Sequence, residues 1–410
     1  MIQLLISEVH MYKNPYFKLI NISGSEYLLP FGQAISDHKR GIKISRSGAD
    51  LWNILEDYSS EDNLIKAFIS KENIPESEEG QVIHDIGYFL DHLKELGIIS
   101  DNAPQAPVAS IRPAWDSFDE VFKKSEIRGD AFNALIAGIC LNLSFDPALI
   151  DAKFASFKTN DTTGYDIRIR TTEKDTTVSE QETILVDAGE MTISESARFN
   201  IIRYKKNSAV KSMFIRKNYF DVLICLTPGY DSKNANEEIF HAIRIPFLML
   251  AESRGMYAIH SASVLFKEKA WLFSAPAGTG KSTHAKLWTT NSDAVNINGD
   301  LNLIGTDKGK PFVFGIPWCG TSEIYSTEVY PLGGVVFLKQ SPVNKIEKFG
   351  REKALVTLSR RTISPVWNGS SLEKMIRDLE PVSKSITSLR LYCTKDPEAQ
   401  EILQNYITNL

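Results

Sequence analysis

No stretch of this sequence is apolar for long enough to cross a membrane. The longest apolar run, around Ile245–Ala251, falls far short of the ~18 residues a spanning helix needs, so no membrane association is expected. Cysteine is scarce. Cys140, Cys225, Cys319 and Cys393 stand far apart with no CxxC pair, which points to neither a zinc site nor a disulfide framework. A reducing, cytoplasmic setting is the expectation. A basic excess is also missing: 46 Lys and Arg stand against 51 Asp and Glu, a formal net charge of −5. Dedicated nucleic-acid binders usually carry a positive surplus, so no nucleic-acid partner is expected. The opening MIQLLISEVH has neither the basic segment nor the small-residue cleavage site of a secretory signal. Tandem repeats and low-complexity tracts are absent too.

What is present is the composition of ordinary globular protein, 43 % hydrophobic and 24 % charged, over 410 residues. That length suits two or three domains. We read residues 1–100 as one domain, 101–109 as a linker, 110–235 as a β-rich lobe and 236–410 as an α/β domain. The fold class is therefore α/β, with α+β character across several domains. The linker assignment rests on Pro104 and Pro107 among small residues, which disfavour helix and sheet alike.

In the first hundred residues, Tyr16–Ile22 and Glu26–Leu29 read as strands around the turn Ser23-Gly24-Ser25, with Gly41–Ser45 as a third. Helical periodicity follows over Ala49–Tyr58 with Ser47 as its cap, over Glu61–Lys71, and over Val82–Leu96 ending at Gly97. This region holds 9 basic and 15 acidic residues, so its net charge is −6. Further on, Ile136–Ser144, Tyr165–Arg170, Thr183–Val186, Met191–Ser194, Phe199–Tyr204 and Val222–Thr227 read as strands, and Glu237–Glu252 as a buried helix.

The strongest chemical signal is an apolar strand, Ala270–Phe273, running into Ala275-Pro276-Ala277-Gly278-Thr279-Gly280-Lys281-Ser282-Thr283 and then a helix. This is the context of a phosphate-binding loop. Small residues let backbone N–H groups turn inward around a triphosphate, and the helix beginning at Lys281 adds the positive end of its dipole. Lys281 would reach the outer phosphates and the Ser282 hydroxyl would ligate Mg²⁺. The first glycine of the usual pattern is Ala275 here, which is tolerable if that position needs no positive φ. A chance glycine-rich turn is the bland alternative. Asp300, in the strand interruption Asn298-Gly299-Asp300, is placed where an acid commonly serves the metal. His260 lies on a strand just before the loop; a packed structural histidine is the alternative.

Together, His260, the loop 275–283, Asp300, the turn Pro317-Trp318-Cys319-Gly320 and the run Pro331–Leu338 resemble the HPr kinase group. Those are serine kinases whose nucleotide domain is shared with phosphoenolpyruvate carboxykinases. The resemblance covers about residues 235–340 well and 110–235 loosely. It implies ATP and Mg²⁺ as cofactors, Asp300 as base or metal ligand, and His260 in the active site. It also leaves a homo-oligomer as an open expectation. One departure stands out: the family often has two adjacent acids, and the first is Gly299 here. Arg351, Arg360 and Arg361 are either an anion clamp or a solvated helix face, and Cys319 is either an active-site thiol or an incidental one.

Residues of about 15–100 resemble the PqqD-like peptide-recognition domain in their order of elements and in the ending Asp85–Ile99. A winged-helix fold gives a similar trace, and so the domain is expected to be winged-helix-like; a net of −6 argues against its use on DNA. The resemblance implies that a leader peptide adds as a strand beside the third strand and rests on the helix Val82–Leu96. The expectation is an ATP-dependent kinase acting on a serine or related hydroxyl of a ribosomally made precursor peptide. Alternatives are a kinase of a small molecule or carrier protein with a regulatory front domain, and a non-catalytic nucleotide sensor.

Overall fold

The computed structural model describes residues 10–104, 110–111, 118–125, 131–161, 164–174, 176, 178, 180–205, 208–217 and 220–410, so the expected linker lies outside it from 105 to 109. The chain forms two compact units. One comprises Met1–Val108 with Leu185–Ala188 and Val366–Glu373; the other comprises Ala109–Ile184, Gly189–Pro365 and Lys374–Leu410. The fold is α/β, with mixed and antiparallel sheets and helices.

In the first unit, β1 (Phe17–Ile22), β2 (Ser25–Pro30) and β3 (Ile42–Ile44) form an antiparallel sheet in that order. Ser23 and Gly24 join β1 to β2 with φ of 53° and 86°, the tight hairpin geometry that glycine adopts without strain. Three helices follow, α1 (Arg46–Ile54), α2 (Glu61–Glu72) and α3 (Glu76–Glu95). The cap of α1 is Ser45 rather than the expected Ser47. Ser45 leaves β3 in an extended conformation and its Oγ accepts the Gly48 N–H at 3.0 Å, so the helix starts earlier than Ala49. Likewise α3 begins at Glu76, directly after Pro75, and not at Val82. Its first turn carries Glu76, Glu78 and Glu79, which suit a helix N-terminus but leave no apolar periodicity to read. Leu28, Leu51, Trp52, Leu64, Phe68, Ile86 and Leu90 bury into one core.

A nine-stranded sheet, in the second unit except for Leu185–Asp187, runs in the order Ser110–Ile111, Gln181–Asp187, Met191–Glu195, Phe199–Tyr204, Val210–Arg216, Asp221–Leu226, Ile167–Thr172, Ile139–Leu143 and Phe132–Ile136. The strand expected over Ile136–Ser144 is Ile139–Leu143; it begins later because Ala137 and Gly138 turn the chain with φ of 50° and 74°, and it pairs as a hairpin with Phe132–Ile136, which the sequence reading passes over. Val210–Arg216 is a strand the sequence reading passes over; its opening Val-Lys-Ser breaks the apolar alternation. The helix α4 (Ser232–Ser253) packs on this sheet and is buried along most of its length.

The remaining sheet of this unit carries the loop 275–283. Its strands are β4 (Tyr257–Phe266), β5 (Lys269–Ser274), β6 (Val295–Asn298), β7 (Leu301–Asp307), β8 (Lys310–Phe314), β9 (Val329–Gln340), β10 (Lys345–Lys348) and β11 (Thr387–Cys393). β9 pairs with β8 at its start and in parallel with β5 further on, so β5, β4, β7, β8 and β9 close into a ring. β11 then adds in parallel to β9. The helix α5 (Lys281–Asn291) seats Trp288 on Phe266 and Phe273, with ring centroids 5.0 and 5.9 Å apart. Among the described residues, no helix is long and apolar enough to cross a membrane.

Candidate functional site

The loop between β5 and α5 is built by two left-handed glycines, Gly278 at φ 73° and Gly280 at φ 108°. Side chains rarely adopt these angles, and they turn the peptide groups of a phosphate loop toward its centre. Ala275 is buried and has no positive φ, so the departure from glycine there costs nothing. No side chain caps the first turn of α5. Its free N–H groups and its dipole leave a place for an anion. Ser282 and Thr283 are exposed on that turn, and the Lys281 ammonium reaches back over the loop to the Ala275 carbonyl at 3.4 Å.

Antiparallel register brings the other expected residues to this end of the sheet. His260 on β4 stands opposite Leu301 on β7, next to Asp300. Its Nε2 lies 3.2 Å from Asp300 Oδ1. The hydrogen bond from His260 holds the Asp300 carboxyl below the usual range; burial opposes this, and the charges of His260, Lys281 and Arg244 reinforce it. Burial pushes the Lys281 ammonium down; Asp300 pulls it up, and Arg361 lowers it further. The site therefore holds an ionised carboxylate among cations.

A buried polar frame fixes this arrangement. Asn298 Oδ1 accepts the N–H groups of Asp300 and Leu301 at 3.0 and 3.1 Å, while its Nδ2 donates to the Trp318 carbonyl at 3.2 Å. Asn302 Nδ2 donates to the Ser261 carbonyl at 2.6 Å, and its Oδ1 accepts from Ser263 Oγ at 2.6 Å. Ser274 Oγ donates to the His260 carbonyl at 2.8 Å, and Ser261 N–H donates to that of Asp300 at 2.9 Å. Such groups are tolerated in the interior because they satisfy one another.

The turn 317–320 presses on Asp300. A Cβ at Gly320 would stand 2.8 Å from the Asp300 Cβ, so only glycine admits the carboxylate there. Trp318 anchors the turn through Nε1, which donates to the Phe240 carbonyl at 2.9 Å. Gly299, where a second acid was expected by resemblance, has no room for one. A Cβ there would meet Ser322 Oγ at 2.0 Å.

Among the arginines, Arg361 comes to the site and Arg351 does not. The Arg361 carbonyl accepts the His260 N–H at 3.0 Å, and its guanidinium acts on Lys281. Its Nε is buried without a hydrogen-bond partner among the described residues. Burial, then Arg360 and Arg390, lower its pKa. Arg351 is exposed and Arg360 acts on Arg361 from an exposed position. Cys319 is buried, and burial pushes its thiol up, away from the thiolate a nucleophile needs. Arg244, on α4, is a site residue that sequence reasoning missed. It is half-buried and faces Asp300 and Tyr204, whose phenol burial pushes up to about 12. The signal was a single charge inside the apolar stretch Ala242–Leu250. His284, by contrast, is buried against Phe273 and accepts from Trp288 Nε1 at 3.3 Å, a packing role.

No family model matches this sequence, and no curated protein does. Among solved structures, the HPr(Ser) kinase/phosphatase from Coxiella burnetii aligns with 37 % of this chain and 97 % of its own, at 8 % identity and a TM-score of 0.22. A likeness at that level carries no weight for function; the geometry of the site does.

Among the described residues no group of three His, Cys, Asp or Glu side chains is placed to hold a metal. This donor set suits Mg²⁺, which keeps several waters and relies on one or two protein ligands plus phosphate oxygens. An ionised Asp300 and the Ser282 hydroxyl are the groups that would hold it.

The first unit has a groove of its own. About 470 Å³ opens between α1, the end of α2 and α3, lined by Leu51, Phe68, Val82, Ile86 and Phe89 with Asp85 at the polar side. It adjoins Ser45, where β3 ends, and β3 is the last strand of its sheet.

Proposed function

We propose that this protein is an ATP-dependent kinase of the HPr kinase type that phosphorylates a serine or related hydroxyl of a ribosomally made precursor peptide. The observation that carries the reading is the meeting of Lys281, on an uncapped phosphate loop, with the His260–Asp300 pair 3.2 Å apart. A phosphoryl-transfer site needs a cradle for phosphates, a cation at the outer phosphates and a carboxylate beside the attacking hydroxyl.

In this reading Asp300 accepts the hydroxyl proton as the new O–P bond forms and the bond to the leaving ADP oxygen breaks. His260 orients the carboxylate. Lys281, with Arg361 and Arg244 close by, offsets charge on the transferring group. Mg²⁺, when bound, neutralises charge shared between the outer phosphates. The N-terminal unit is PqqD-like in this reading: the leader adds along β3 and buries an apolar side chain in the groove lined by Val82 and Phe89. Asp85 and Glu72 favour a leader carrying Lys or Arg. Tethering the leader raises the local concentration of the acceptor hydroxyl.

The test is mass spectrometry of the peptide encoded beside this gene after incubation with the full chain, ATP and Mg²⁺. Gain of one phosphate is expected, and Lys281→Ala or Asp300→Asn abolishes it without unfolding the chain. Phosphate appearing only on free serine, a sugar or a carrier protein would replace the peptide assignment. ADP release with no acceptor modified would remove the kinase assignment.

A further inference from the structure

A cavity of about 450 Å³ opens in the second unit where the strands Phe199–Tyr204 and Asp221–Leu226 end and α4 begins. Thr227 closes one side. Its N–H donates to the Ala209 carbonyl at 2.9 Å and its hydroxyl to the Ser208 carbonyl at 2.7 Å. Two aromatic rings and two carboxylates line the space, Tyr204 and Tyr230 with Asp231 and Glu238. Glu238 is fixed through one oxygen: Oε2 accepts from Ser208 Oγ and from the Val210 N–H at 2.9 Å, while Oε1 has no partner among the described residues. The hydroxyl of half-buried Tyr204 has none among them either. Asp146 and Glu173 act on Tyr230 from outside the lining, so four carboxylates surround the opening. Lys211 lines it too and is already engaged.

We infer that this cavity is a subsite for a basic side chain, arginine or lysine, of the acceptor peptide; it rests on the kinase reading above. The chemistry of the lining fits that group. Tyrosine faces attract a cation, and the free oxygen of Glu238 with Asp231 accepts its N–H groups. Ala209 and Pro228 offer apolar surface to the methylene stem. The place fits as well. Arg244 faces Tyr204 on one side and Asp300 on the other, so the cavity and the carboxylate that receives the hydroxyl proton flank one guanidinium. Glu238 and Arg244 lie on the same helix, less than two turns or about 9 Å apart along its axis. An extended peptide advances about 3.3 Å per residue, so the basic residue falls within about five positions of the hydroxyl.

The experiment uses the full chain and a set of short, end-blocked peptides, each with one serine and one arginine, the arginine moved over the five positions on either side. A matching set carries norleucine in its place. Binding is read by fluorescence anisotropy and phosphate gain with Mg·ATP by mass spectrometry. At one or two spacings the arginine peptide is expected to bind about tenfold more tightly than its norleucine partner. Asp231→Asn combined with Glu238→Gln keeps the hydrogen-bond acceptors and removes both charges; it should erase that preference and leave ATP affinity unchanged. Tyr230→Leu, which takes the ring from the rim, should weaken the same peptides and serves if the double variant loses its fold. No preference for arginine at any spacing, or a preference that survives these variants, overturns the subsite and leaves the kinase reading standing. A preference that the variants erase, on peptides that gain no phosphate, overturns the kinase reading and the acceptor role with it, and leaves a cation site alone.

Discussion

Gly299 offers the sharpest physical test of the site. A Cβ there would stand 2.0 Å from Ser322 Oγ and 2.4 Å from Ser322 Cβ. Ordinary contact is about 3.5–4 Å, so the Ser322 side chain has to move by about 1.5 Å. That movement breaks two hydrogen bonds, from Ser322 Oγ to the Cys319 carbonyl at 2.7 Å and from the Ile324 N–H to Ser322 Oγ at 3.2 Å. Each is worth about 1 kcal/mol, and overpacking adds about 1–3 kcal/mol, so Gly299→Ala should destabilise the second unit by about 3–5 kcal/mol. The φ of Gly299 is not positive, so crowding alone produces the effect. Ser322→Gly forfeits the same two hydrogen bonds but clears the space. The double variant should therefore be about as stable as Ser322→Gly alone, a coupling as large as the Gly299→Ala loss itself. Guanidinium unfolding followed by tryptophan fluorescence reads this, since Trp271, Trp288 and Trp318 are buried in that unit. Additive single and double effects, or a Gly299→Ala protein as stable as the wild type, would refute the reasoning. An aspartate at 299 fits only when position 322 is small, so Gly299→Asp should leave the chain folded in the Ser322→Gly background alone.

Three further outcomes are expected. Burial holds His284 neutral, with its pKa lowered from 6.5 to about 4. The folded chain then binds fewer protons than the unfolded one between those values. Stability is full above pH 6.5 and falls as pH drops toward about 4, by at most about 1.4 kcal/mol per pH unit. His284→Gln, which keeps an acceptor for Trp288 Nε1, should flatten the pH dependence of the urea midpoint; an unchanged slope counts against the assignment. Arg244→Gln and Arg361→Gln should each lower kcat about a hundredfold with a smaller change in KM for ATP, while exposed Arg351→Gln leaves both alone. Equal losses in all three would show a general charge effect. Asp85→Lys, at the exposed side of the groove, should raise KM for the precursor peptide and leave kcat and ATP binding unchanged; unaltered peptide kinetics would remove the groove from leader capture.

Contiguity decided what the sequence revealed. The strand, loop and helix proposed to cradle phosphates follow one another from Lys269 to Asn291, so their local preferences suffice to mark them. His260 and Asp300 were each visible as candidates, but their contact was not, because it depends on the register of β4 against β7. Arg244 was hidden for the same reason, arriving on a helix whose apolar pattern announced burial and nothing else. Gly299 shows how an absence can mislead. Against a family pattern it looked like a lost acid, yet in space it makes room for Ser322, and Ser322 pins the segment whose Gly320 abuts Asp300. The polar residues Ser261, Ser263, Asn298 and Asn302, placed on otherwise apolar strands, serve the same end. A carboxylate beside a depressed lysine stays in place only if its backbone cannot drift, and hydrogen bonds inside a low-dielectric sheet provide that stiffness where apolar packing alone would not. A chain that merely shelved a nucleotide would have no need of so much buried polarity behind one aspartate, which is why the frame favours chemistry at Asp300 over passive binding.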